Sequence, residues 1–270
     1  MSSLKDFIST HVVFRFDEAA AALPHSSKES LAAGLNYHVA QKHIRRLRRG
    51  LYVRHQKDSI DPWLIGSRLT TDGVIAYFSA LEFHHDADGY GCQLLTRERF
   101  TDFTYNEIHY RAIRLKPRSA NELTRGSRFK DGIVEAEREG LTLRVCTRER
   151  AYADCCDRLD LIFEGLETLT EWFVEERGLD AEQLVDHALA NRSRIAAARL
   201  GLLMLAHDRL AREHDQIARL QAYAPKGPTL FDPDPEKQEN NHNLPEWNAI
   251  IPEWFRQIHY NLRRPSEKRW

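Results

Sequence analysis

Between Gln41 and Gln56 the chain reads QKHIRRLRRGLYVRHQ, and from Lys42 to Arg54 six of thirteen residues are Lys or Arg with no acid among them. A basic cluster with no carboxylate in it is suited to gripping a polyanion. Duplex DNA carries a negative charge about every 1.7 Å along its axis, so a fixed group of arginines meets phosphates at the spacing they present. Arg45, Arg46, Arg48 and Arg49 are expected to hold phosphates or to enter the minor groove, with Lys42 and His43 beside them. Just upstream, Ser27, Lys28, Asn36, Tyr37, His38 and Gln41 supply groups suited to the major groove, where sequence is read by hydrogen bonds to base edges rather than by charge. A solvated basic turn is the plain alternative.

Other clusters carry weaker chemistry. EFHHDADGYGC offers Glu82, His84, His85, Asp86 and Asp88, but at no metal-ligand spacing, so structural histidines are expected and no metal. TRERAYADCCDRLD places Arg150 and Asp154 four apart on one helix, which favours an ion pair over a catalytic carboxylate pair. No nucleophile with a base and no glycine-rich phosphate loop accompanies it, and VEAERE lacks the lysine of the carboxylate-x-Lys nuclease pattern. Catalytic residues and cofactors are therefore not expected. Cys92, Cys146, Cys155 and Cys156 have no CxxC spacing, and reduced thiols in a cytoplasmic protein are expected. No window is apolar enough for a membrane span.

The charges are unevenly placed. Of 270 residues with net charge −1, residues 1–56 hold nine cations against four anions, leaving 30 against 36 in residues 57–270. That asymmetry implies a basic module, 1–56, ahead of a body, 57–270, whose last part from about 225 is an extended tail. Within the module, residues 3–10 read as one helix, Asp17 caps a second that Pro24 stops, and Ser26 or Ser27 caps a third with Leu31, Leu35 and Val39 inward. IRRLRRGLYVR then reads as a hairpin turning at Arg48 and Arg49, with Gly50 supplying positive φ. The third helix running on to Leu47 is the rival. The fold class is α+β: an N-terminal winged helix-turn-helix, then a mixed body of short strands (VIAYFSALEF, CQLLT, FTYNEIHYRAIRL, GIVEA, LTLRVC) followed by a helical bundle. The stretch 225–243 reads as loop and LPEWNAIIPEWF as a terminal strand docking Trp247.

Four motifs in this order resemble the AbiEi-type antitoxins and transcriptional regulators of type IV toxin–antitoxin systems. LNYHVAQKHIRRLRRGLYV is similar to the family's wing, with its arginine, glycine and tyrosine at Arg49, Gly50 and Tyr52. The Ser-Ala-Leu of IAYFSALEFHH falls at Ser79, Ala80 and Leu81, the Glu-Arg-x-x-x-Asp helix at Glu149, Arg150 and Asp154, and the Trp-Asn and Pro ending at Trp247, Asn248 and Pro252. Such members often have Gly-Arg where this chain has Lys42 and His43, and Thr-Leu where it has Ala151 and Tyr152.

The resemblance implies a sequence-specific DNA-binding antitoxin and autorepressor, acting in phage defence. It would bind an inverted repeat in its own promoter as a homodimer or as cooperative monomers, in the nucleoid. Its functional partner would be a nucleotidyltransferase-like toxin, countered without a stable complex. Three other readings remain open: a stand-alone winged-helix regulator, a nucleic-acid-processing enzyme with its site in the body, and a module meeting an acidic protein.

Overall fold

The computed structural model describes residues 3–55, 60–87, 89, 91–114, 131–237 and 240–258. The expected boundary at 56/57, Asp88 and the end of the expected tail, 259–270, lie outside them. The chain is α+β and divides into two compact units, residues 1–79 with 86–145, and residues 80–85 with 146–270. The first unit thus takes in the strands up to Val145 together with the N-terminal helices.

The first unit opens with α1 (Leu4–Thr10), closed at its start by a reciprocal Ser3–Asp6 capping box. A three-residue strand follows that the sequence did not announce, β1 (Val13–Arg15), and then α2 (Phe16–Ala22). Asp17, expected as the cap of α2, lies in its first turn; Glu18 reaches back instead to accept from the Arg15 backbone N–H at 2.6 Å. α3 (Lys28–Ala40) starts at Ser27, whose hydroxyl accepts from the Ser30 N–H at 3.1 Å. Leu31 and Leu35 on its inner face join Phe7, Ile8, Phe14, Ala19, Ile44 and Tyr52 in one apolar core.

α3 ends before the basic run, and the reason is local. Lys42 has φ +57°, its N–H donates to the Val39 carbonyl at 3.0 Å, and the His43 N–H donates to the His38 carbonyl at 3.0 Å. These are the two bonds of a Schellman motif with Lys42 in the left-handed position that glycine prefers. The helix therefore does not run on to Leu47. β2 (Ile44–Arg48) and β3 (Leu51–Arg54) follow, with Gly50 at φ +77° closing the turn one residue later than expected, at Arg49 and Gly50. With β1 they form an antiparallel sheet of order β1-β3-β2.

The rest of the unit begins with α4 (Pro62–Ser67), capped by Asp61 with Pro62 in its first turn. A six-stranded sheet follows, of order β6-β7-β5-β4-β9-β8. Its strands are β4 (Val74–Ile75), β5 (Gly91–Thr96), β6 (Phe103–Tyr105), β7 (Ile108–Arg114), β8 (Ile133–Arg138) and β9 (Leu141–Cys146). VIAYFSALEF, expected as a strand, is one for only two residues. Tyr77 at φ +55° breaks it, and Phe78–His84 is a helix, α5. Val74 to Leu81 are all buried, so the segment shows no periodicity that would separate strand from helix.

The second unit is a set of helices, α6 (Arg148–Asp157), α7 (Gly165–Glu175), α8 (Ala181–Ala190), α9 (Arg194–Ala206) and α10 (His214–Tyr223). A small sheet completes it: β10 (Thr229–Leu230) runs parallel to β12 (Ala249–Ile251), and β11 (His242–Leu244) antiparallel to it. The stretch expected as a plain loop thus holds one strand and the start of another. The expected terminal strand is short and passes at Pro252 into α11 (Glu253–Ile258). Among the described residues no helix is long and apolar enough to cross a membrane.

Candidate nucleic-acid interface

The outward stripe of α3 is Ala33, Asn36, Tyr37 and Ala40, spaced so that all four lie on one side and all exposed, with Gln41 exposed just past the last turn. The expected residues do not all share that stripe. His38 is two positions from Asn36 and so lies on another flank; its Nδ1 is 3.0 Å from the Nδ1 of His43, which requires one ring to donate to the other. Partial burial holds the His38 pKa below its ordinary value, with His43 and Lys5 pushing the same way. The lowered pKa favours the uncharged imidazole in this contact with His43. Lys28 is exposed in the first turn, and Ser27 is committed to capping.

The hairpin sorts its arginines by face. Residues opposite one another on paired strands share a side of the sheet, and the register pairs Arg45 with Val53, Arg46 with Tyr52 and Arg48 with Leu51, with a bulge between Arg46 and Arg48. Three positions apart on a regular strand, Arg45 and Arg48 would point to opposite sides. The bulge at Leu47 puts both on the side of Leu51 and Val53. Arg46 lies on the side of Ile44 and Tyr52, the side the helices cover.

Arg45 and Arg48 have aromatic beds that sequence reasoning missed. The Arg48 guanidinium lies 4.7 Å from the ring centre of Phe100, and that of Arg45 lies 5.7 Å from the ring centre of Tyr105. Phe100 precedes β6 and Tyr105 ends it, both within the same compact unit as the hairpin. Stacking fixes the plane of a guanidinium while leaving its edge N–H groups for acceptors such as phosphate. The only trace in the sequence is aromatic spacing in FTDFTY, which says nothing of what lies above the rings.

The motif residues of the body make structural contacts. The Ser79 hydroxyl donates to the Gly91 carbonyl at 3.2 Å and accepts from the Gln93 N–H at 3.0 Å, tying Ser79 to β5. Arg150 Nε donates to Asp154 Oδ2 at 3.3 Å with both side chains buried, and Asn191 Nδ2 donates to Asp154 Oδ1 at 2.9 Å. Glu149 accepts from the Asp180 N–H at 3.3 Å, joining α6 to the start of α8. Trp247 is buried against Gly201 of α9: a Cβ there would lie 2.1 Å from the indole.

The histidine cluster is divided in the same way. His84 Nε2 donates to the Cys146 carbonyl at 2.7 Å, and His85 Nε2 lies 3.3 Å from the Tyr152 hydroxyl and 3.2 Å from a Glu176 carboxylate oxygen. Among the described residues no group of three or more His, Cys, Asp or Glu is placed to hold a metal ion. Burial raises the Cys155 thiol pKa and pushes that of Cys156 up to about 12, so both stay protonated at neutral pH.

No protein-family model matches the chain, and no curated protein matches it. Among solved structures, the crystal structure of the RV2827C protein from Mycobacterium tuberculosis is similar in fold, with a TM-score of 0.57 at 14% identity over 97% of this chain and 92% of that one. At that identity the likeness shows a shared fold and nothing of function.

Proposed function

We propose that residues 3–55 act as a winged helix-turn-helix that binds duplex DNA, with α3 in the major groove and the β2–β3 hairpin as the wing. The observation that carries this reading is the junction itself. A helix with an exposed outer stripe bearing Asn36 and Tyr37 stops at a left-handed Lys42 and passes directly into a hairpin with five arginines, with no acid from Lys42 to Arg54. Arg45 and Arg48 are held for phosphate on one side of the hairpin, and Arg46 projects on the side of α3.

Following the motif resemblance, the chain is then a sequence-specific antitoxin and autorepressor of a type IV toxin–antitoxin operon, non-enzymatic, with the residues after the wing responsible for countering a nucleotidyltransferase-like toxin. The ion pair of Arg150 and Asp154 supports a framework role for that motif. The test is to express the adjacent reading frame alone and together with this chain. Growth arrest by the neighbour, relieved by co-expression without co-purification, is the expected result. A neighbour without toxicity leaves a stand-alone regulator as the reading.

A further inference from the structure

We propose that α3 selects A·T base pairs, with Asn36 reading adenine and Tyr37 meeting the methyl group of thymine. This rests on the DNA-binding reading above and adds the base class that the site would choose. Ala33, Asn36, Tyr37 and Ala40 form the stripe that leads into the groove, and Tyr37, at 60% exposure, is more exposed than any other large apolar side chain among the described residues. Its ring meets that of His38 edge-on at a centroid distance of 5.5 Å, which limits its rotation.

In the major groove adenine presents an N7 acceptor beside an N6 donor, a pair that one carboxamide can match, while thymine presents a 5-methyl group suited to an apolar contact. Guanine is read chiefly by Arg or Lys at its O6 and N7. No Arg or Lys stands on the stripe. The cations flank it instead, Lys28 at the first turn and Lys42, Arg46 and Arg49 beyond the last, where phosphates run alongside the groove. Glu29, exposed one turn before Ala33, opposes phosphate and would accept from cytosine N4, which confines the A·T choice to the pairs beneath Asn36 and Tyr37. The two alanines keep the stripe low enough for Asn36 and Tyr37 to reach the base edges.

The experiment starts by selecting duplexes from a random library with the full chain. The selected site is then resynthesised with deoxyuridine for each thymine, which removes the methyl group, and with 7-deazaadenine for each adenine, which removes N7. Expected are A·T pairs at the conserved core of each half-site. One 7-deaza substitution should weaken wild type by about 5- to 100-fold and leave Asn36→Ala unchanged, and one uridine should weaken wild type several-fold and leave Tyr37→Ala unchanged. Both side chains are exposed, and the base analogues test the wild-type chain without any substitution. Selected cores of G·C pairs, or equal effects of the analogues on wild type and variants, would overturn the assignment while leaving the DNA-binding reading intact. Absence of binding to any duplex would overturn both.

Discussion

Arg48 stands over the ring of Phe100 at 4.7 Å, although the one ends β2 and the other lies in the segment before β6, more than fifty positions away. The contact depends on the bulge at Leu47, which turns Arg48 to the same side as Arg45 and its Tyr105 bed. A basic hairpin that would otherwise be a solvated charge cluster becomes a pair of oriented guanidinium groups.

Phe100→Leu removes the ring and no charge. Duplex affinity should fall by about two- to fivefold, the equivalent of about 0.5–1 kcal/mol for an exposed stack, with the salt slope unchanged. Titrations at two salt concentrations check this, and a slope that changes with the ring would mean that Phe100 alters the number of phosphates contacted.

Lys42 occupies a left-handed position where an L side chain costs about 1–2 kcal/mol. Lys42→Gly should therefore raise the stability of the first unit by about 1 kcal/mol while weakening duplex binding through the lost cation. Chemical denaturation and a binding titration on the same sample separate the two effects; a destabilised variant would contradict the Schellman assignment.

Asp154→Ala leaves the buried Arg150 guanidinium without its carboxylate, and unfolding free energy should drop by about 3–5 kcal/mol. Gly201→Ala drives a methyl group into Trp247 and should cost about 1–3 kcal/mol. Denaturant unfolding measures both. A stable Asp154→Ala protein that had lost a nucleic-acid-processing activity would favour the enzyme reading.

Burial is the main cause holding His84 below its ordinary pKa of 6.5, partly offset by its hydrogen bond to the Cys146 carbonyl. The unfolded chain therefore takes up the proton more readily than the folded one, so this contribution is complete above about pH 6.5 and is lost as pH falls through that value toward the folded pKa. Thermal unfolding from pH 8 to pH 5 should show a decline that is shallower in His84→Asn. An identical decline would place the acid sensitivity elsewhere.

What could be read from the sequence was what neighbouring residues decide. A serine cap at Ser26 or Ser27, Leu31 and Leu35 as an inner face and Gly50 as a turn residue follow from spacing within a few positions, and the structure takes Ser27 as the cap. β1 was not legible because three residues, Val13–Arg15, become a strand only by pairing with Leu51–Val53. α5 was hidden by burial on all sides. The division of the arginines between two faces depends on one bulged residue, and their aromatic beds come from residues some fifty positions on. The candidate surface was therefore visible as a composition, while its geometry was set by long-range pairing.

The most direct test of the account is the salt dependence of duplex binding by the full chain, compared with Arg48→Ala/Arg49→Ala. With four to six phosphates contacted, log K should fall against log salt with a slope of about −4 to −5 per protomer, and the double variant should be shallower by nearly 2. A slope near zero, or a double variant that binds like wild type, would contradict the assignment of this hairpin as a DNA-binding wing.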